Sequence, residues 1–230
     1  LGKQTFQPGT NALAFTVKLD NPVLWSPDAP HLYELSVLAG SDQIARDRFG
    51  FRSFGADGPR FLLNGAPIQP FGIVFKYRDL EHFPELWYNR GNIMRRLLSA
   101  YKELGITMIF PQGMHLYYPR LFYDMCDELG IMINEWHGAQ AGSSMNKESA
   151  LFDDADTAAR MLYVYNHPSV VMFTIGNEVR DKVFIAPINH VYDLIKSLDS
   201  QKRPICDVSG GVPQTLRFKT DLCDIHLYPG

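Results

Sequence analysis

A largely apolar run, Val170-Val171-Met172-Phe173-Thr174-Ile175, leads directly into Gly176-Asn177-Glu178. A carboxyl and an amide are thus delivered side by side at the end of a strand-length segment. Cleavage of a glycosidic bond needs such a carboxyl to protonate the departing oxygen, and a neighbouring amide can hydrogen-bond a sugar hydroxyl more strongly in the transition state. The same two residues could instead sit at the N-terminus of a following helix, where acidic side chains are favoured. Three further run ends carry polar groups: Glu135 and His137 flank Trp136, Asp207 and Ser209 follow Pro204, and His226 and Tyr228 follow Asp224. Glu135 and His137 are expected to face the same opening as Glu178, as sugar or metal ligands or in a structural role. Asp207, His226 and Tyr228 are candidate substrate contacts. His115 reads as a loop residue, and Trp87 and Tyr88 as packing.

The elements that must position these groups follow from periodicity. Residues Ala12–Leu19, Leu32–Leu38 and Arg48–Arg52 alternate as short antiparallel strands. A free-standing sandwich wants about seven strands, so this part reads as the C-terminal end of one. Asn64-Gly65 between apolar runs then marks a tight hairpin, because both residues tolerate positive φ. Beyond it, strand-length runs at Ile68–Val74, Ile106–Phe110, Ile131–Glu135, Val170–Ile175, Pro204–Val208 and Asp224–Leu227 alternate with helical stretches. The helices are expected at Asn92–Leu104, Pro119–Leu129, Asp153–Tyr165 and Phe184–Leu198. Strands alternating with crossover helices imply a parallel sheet, either doubly wound or most of a barrel. No G-x-G-x-x-G follows the first strand and no P-loop is present, so nucleotide binding has no motif behind it. A barrel takes about 250 residues, more than residues 60–230 supply.

Composition narrows the function further. The chain has 230 residues, 46% of them hydrophobic, and a net charge of −3 with no basic run, which argues against nucleic acid as a partner. No apolar run approaches the length of a membrane helix. Cys126, Cys206 and Cys223 form neither a CxxC pair nor an even set, and read as reduced thiols.

Several segments together resemble glycoside hydrolase family 2, which includes β-galactosidases, β-glucuronidases and β-mannosidases. They are Trp25-Ser26-Pro27-Asp28-Ala29-Pro30-His31-Leu32-Tyr33, Phe49-Gly50-Phe51-Arg52, Phe61-Leu62-Leu63-Asn64-Gly65, Phe122 through Ile131, and His167-Pro168-Ser169-Val170 through Gly176-Asn177-Glu178. The resemblance covers Asn21 to the end. It implies an α/β fold, an incomplete (β/α)8 TIM barrel (residues 59–230, the first six βα units) preceded by the C-terminal part of an immunoglobulin-like β-sandwich (1–58). It also implies an exo-acting, retaining enzyme that hydrolyses terminal β-linked sugars, with Glu178 as acid/base and Asn177 as its sugar-contacting neighbour. The nucleophilic Glu of such enzymes belongs on the seventh strand, outside this chain. Phe110 stands where relatives usually have an Arg, which keeps open a non-catalytic carbohydrate-binding or scaffolding relative. An inverting pairing of Glu178 with Glu135 is a third reading. Although some relatives hold a divalent cation, Glu135 and His137 are too few ligands for a specific site, so no metal or other cofactor is expected.

Overall fold

The computed structural model describes residues 8–9, 14, 16–39, 41–75, 90–111, 118–140, 153–179, 182–209 and 218–224. Strands β1 (Tyr33–Ala39) and β2 (Asp42–Phe49) pair antiparallel from Tyr33↔Phe49 to Ala39↔Asp42. Tyr33, Phe49 and Phe51 pack their rings 5.3 to 5.8 Å apart, centroid to centroid, at the end of this hairpin. Of the strand expected over Ala12–Leu19, the described residues 14 and 16–19 carry no strand, and Val17 and Leu19 are exposed. Alternation supplies an apolar face, but a strand also needs a hydrogen-bonding neighbour.

Strands β3 (Phe54–Asp57), β4 (Arg60–Leu63) and β5 (Ala66–Ile68) make a small antiparallel sheet. Asn64 and Gly65 turn the second hairpin at φ 54° and 80°, the two positive angles that an Asn-Gly turn requires. Phe54 pairs with Leu63, so this sheet crosses the division expected between residues 58 and 59. The last strand before the barrel and the first hairpin of the barrel segment are therefore one sheet.

Next come β6 (Gly72–Phe75), α1 (Arg90–Glu103), β7 (Met108–Pro111), α2 (Arg120–Leu129), β8 (Met132–Gln140), α3 (Asp154–Val164), β9 (Val170–Asn177), α4 (Ile185–Leu198) and β10 (Ile205–Ser209). The five strands form one parallel sheet whose spatial order, β6-β7-β8-β9-β10, is also their order in the chain. A doubly wound sheet reverses direction at a switch point. Winding that never reverses is that of a TIM barrel. The sixth expected strand, Asp224–Leu227, lies mostly outside the described residues.

Two apolar layers hold the sheet. On its helix side, Ile109, Ile133, Phe173, Ile175 and Ile205 pack against Leu98, Phe122, Met161 and Ile188. In α2 the buried residues Phe122, Tyr123, Met125 and Cys126 recur at helical spacing, and Gly130 ends the helix at φ 69°. A Cβ there would lie 2.2 Å from the Pro27 carbonyl oxygen, so glycine is needed both for the turn and for the approach of the preceding segment. The second layer closes the N-terminal end of the strands, with Trp25, Phe54 and Leu63 against Met132, Val171, Met172 and Cys206. Trp25 is fully buried and donates from Nε1 to the Asp127 carbonyl at 2.9 Å. Lys102 ties the Pro27 and Gly130 carbonyls at 2.8 and 3.0 Å.

Candidate active site at the C-terminal end of the parallel strands

Strand β9 is buried from Val170 to Gly176 and emerges at Asn177, which is half-buried. Asn177 lies in register with Ser209 of β10 on one side and Gln140 of β8 on the other. Three strands therefore deliver polar residues to one level at the end where barrel enzymes build their sites. Glu178 follows at once, half-buried, with its backbone in the left-handed region at φ 51°. A non-glycine residue held there costs of order 1 kcal/mol or more, and such residues cluster at functional sites. Neither Asn177 nor Glu178 caps the α-helix that follows: a short 3-10 turn at Lys182–Phe184 leads into α4, which starts at Ile185 with Phe184 as its N-cap residue and no side-chain cap.

The placement of Glu135 and His137 differs from the expected one. Glu135 Oε1 accepts a hydrogen bond of 3.0 Å from the Tyr123 hydroxyl on α2, so its carboxyl lies between sheet and helices. His137, two residues on and thus on the same face, sets its ring 5.4 Å from Phe173 in that layer. The opposite face of β8 carries Asn134, whose Oδ1 accepts from Thr174 Oγ1 at 2.8 Å, and Trp136, whose ring is 5.4 Å from Phe110. These residues, not Glu135 and His137, look into the barrel. Asp207 is buried on β10, its N–H donating to Thr220 Oγ1 at 3.1 Å, between the register positions of Thr174 and Gly176. His226, Tyr228, His115, Trp87 and Tyr88 lie outside the described residues.

Burial sets the ionisation of the displaced pair. It pushes the Glu135 carboxyl up to about 7, against the opposing hydrogen bond from Tyr123. It pulls the His137 imidazole down to about 3, helped by the Arg160 charge. Among the described residues Glu135 Oε2 and both His137 nitrogens have no hydrogen-bond partner, consistent with groups held neutral. Unfolded His137 takes up a proton below its ordinary value of 6.5 and the folded form does not, so acid destabilises the fold through this residue. Over the same range Glu135 works in reverse, because the folded carboxyl keeps its proton while the unfolded one loses it. His137→Phe should therefore lessen the loss of stability between pH 7 and pH 5 by about 2 kcal/mol. Glu135→Gln should deepen that loss, and urea titrations at the two pH values check both. An unchanged difference for both variants would mean that the two groups are hydrated.

The opposite end of β9 gathers polar residues that residue type alone does not single out. Asp127 on α2 accepts from the Ser169 N–H at 3.0 Å and lies 2.6 Å from His167 Nδ1, all three buried. Asp124, Asp127 and His167 bring possible ligand atoms within 4.8 Å of one another. Both Asp127 oxygens are already engaged, however, and Arg48 stands 3.8 Å from Asp124, so the cluster reads as a hydrogen-bonded brace. Arg52 and Arg203 meet at the Val170 carbonyl. The motifs His167-Pro168-Ser169 and Phe49-Gly50-Phe51-Arg52 are the sequence signal that could have led there.

Comparison with known proteins agrees with this geometry. The family model for glycosyl hydrolases family 2 matches residues 2–52, and that for the TIM barrel domain of the same family matches residues 111–227. A putative beta-glucuronidase of Formosa agariphila is 31% identical over 175 residues, 70% of this chain and 16% of that protein. A beta-galactosidase of Thermoanaerobacter pseudethanolicus is 28% identical over 235 residues, 92% of this chain and 28% of that protein. The crystal structure of Parabacteroides merdae beta-glucuronidase superposes at a TM-score of 0.65 with 26% identity, covering 83% of this chain and 25% of that one. A family 2 beta-galacturonidase of Eisenbergiella tayi gives 0.66 and 27%, covering 82% and 33%. The chain thus spans between a sixth and a third of the length of these relatives. Two family models in chain order, on a singly wound barrel sheet that ends in Gly-Asn-Glu, settle the family: the chain belongs to the glycosyl hydrolases of family 2.

Proposed function

We propose that these residues are the acid/base-bearing part of a retaining β-glycosidase that removes a terminal β-linked sugar. The observation that carries this reading is Glu178, set in a left-handed turn directly after the buried strand β9. In the proposed cycle Glu178 protonates the glycosidic oxygen, then, as carboxylate, takes a proton from the incoming water. Asn177 holds a hydroxyl of the reacting sugar, and Asp207, His226 and Tyr228 serve in this reading as further sugar contacts. The second carboxylate, the nucleophile, comes from a strand outside residues 1–230. The partner is a carbohydrate of the β-galactoside, β-glucuronide or β-mannoside class. Among the described residues no helix is long and apolar enough to cross a bilayer.

One observation favours a second reading, a relative that binds sugar without cleaving it. Phe110 turns its ring to Trp136, where an Arg is usual among the enzymes this chain resembles. The full-length gene product should hydrolyse at least one aryl β-glycoside from a galactoside, glucuronide and mannoside panel, with the β-anomer appearing first by NMR. Sugar binding by calorimetry without turnover would support the second reading. Initial release of the α-anomer would overturn retention.

A further inference from the structure

Strand β9 is held at its start by groups from three separate parts of the chain. Arg52, between β2 and β3, donates from Nε to the Pro168 carbonyl at 3.0 Å and from Nη2 to the Val170 carbonyl. Arg203, just before β10, donates to the same Val170 oxygen at 3.4 Å. Its guanidinium is fixed by Asp199 through bonds of 3.0 and 3.1 Å and lies 4.6 Å from the Phe173 ring centroid. Asp127 takes the Ser169 N–H. Gly50, two residues before Arg52, lies so close that a Cβ would come within 2.9 Å of the Pro168 ring. Three successive residues, Pro168, Ser169 and Val170, are therefore fixed where the strand begins.

The first of the two register shifts between β8 and β9 lies at this point, and the second, between Trp136 and Ala139 of β8, comes further along the ladder. Ile133 pairs with Val170, but Asn134 pairs with Met172, so β9 carries one extra residue immediately after the clamp. A bulge of this kind admits competing pairings one residue apart, and a one-residue slip exchanges the two faces of every residue beyond it. Asn177 and Glu178 lie beyond it.

We propose that Arg52 is a positioning residue for Glu178: by holding the Pro168 and Val170 carbonyls it fixes the register in which β9 delivers the acid/base to the opposite end of the barrel. The proposal rests on the reading of Glu178 as acid/base. Glu178 is eight residues from Val170, about 26 Å along an extended strand, so Arg52 acts through the strand and not on the substrate. Catalysis is sensitive to such placement, since a misplacement of about 1 Å can cost roughly 100-fold.

The test uses the full-length gene product with Arg52→Gln, Arg52→Lys and Gly50→Ala. The last leaves the guanidinium in place and presses on Pro168 from the same side. For each variant that melts cooperatively, kcat/KM is measured per folded molecule on an activated dinitrophenyl glycoside and on an alkyl glycoside of the same sugar. A misplaced acid harms only the substrate whose leaving group needs a proton. Arg52→Gln should lose about tenfold on the alkyl glycoside and less than about threefold on the activated one. Arg52→Lys, able to reach one carbonyl at a time, should fall between Arg52→Gln and the parent, and Gly50→Ala should show a smaller split in the same direction. Equal losses on both substrates, or no loss in a folded Arg52→Lys, would overturn the proposal. Glu178→Gln is assayed alongside. If it shows no split, the assignment of Glu178 has failed; if it alone does, the role of Arg52 has failed.

Discussion

Glu178→Gln in the full-length gene product lowers kcat/KM for an alkyl or disaccharide substrate by roughly 10²- to 10⁴-fold, the usual contribution of a positioned general acid. Glutamine keeps the size of the side chain and its hydrogen-bonding capacity, so the left-handed turn at φ 51° is not disturbed. What is lost is one transferable proton. A dinitrophenolate needs none to depart, and kcat/KM, which reports the steps up to the first irreversible one, should fall less than about tenfold for its glycoside. Turnover of that activated substrate still slows, because the same residue must later act as base toward water. The glycosyl-enzyme then accumulates, and KM falls together with kcat. A small anionic nucleophile such as azide, needing no base, should restore that second step. Equal losses of kcat/KM on both substrates, without rescue by azide, would remove Glu178 from the acid/base role.

Much of the frame was legible because local periodicity and burial agree. The helices α1 to α4 fall within one or two residues of their expected ranges, and the Asn64-Gly65 turn forms where the dipeptide requires it. The strand-terminal position of Asn177 and Glu178 was readable for a simple reason: polar residues directly after a run buried on both faces can only lie at its end. The failures have physical causes of the same kind. Met132 and Ile133 are both fully buried, so the sequence of β8 carries no apolar-in, polar-out label to tell which parity faces the barrel. Glu135 and His137 consequently turn toward Tyr123 and Phe173, partners that lie on other elements. The Ala12–Leu19 alternation promised a strand, but pairing depends on a neighbour that local pattern does not contain. The brace at the start of β9 joins residues 33 to 118 positions apart in the chain. Its motifs could be recognised in sequence, but their shared task is visible only once the chain is folded.

A fluorosugar that arrests the covalent intermediate should label the full-length gene product on a carboxylate that is not within residues 1–230. Retention requires two carboxyls about 5–5.5 Å apart on either side of the anomeric carbon, one to protonate and one to attack. In the proposed cycle Glu178 supplies the first. Glu135 is the acidic residue nearest by strand order on one side, yet its carboxyl is bonded to Tyr123 behind the sheet and burial holds it near 7, mostly unsuited to attack. Asp207, on the neighbouring strand β10, would approach the sugar from beside Glu178 and not from across it. In the proposed cycle the attacking group comes from the far wall of the barrel, opposite β9. A 2-deoxy-2-fluoro-β-glycoside with an activated leaving group slows the second step more than the first, so peptide mapping of the inactivated protein locates the nucleophile directly. Residues 1–230 expressed alone should neither take the label nor turn over substrate, a deficit of several orders of magnitude, as expected when one of two coupled catalytic groups is removed. A label on Asp207 or Glu135 would place both halves of the reaction on strands β8 to β10 and would require a different geometry for the attack.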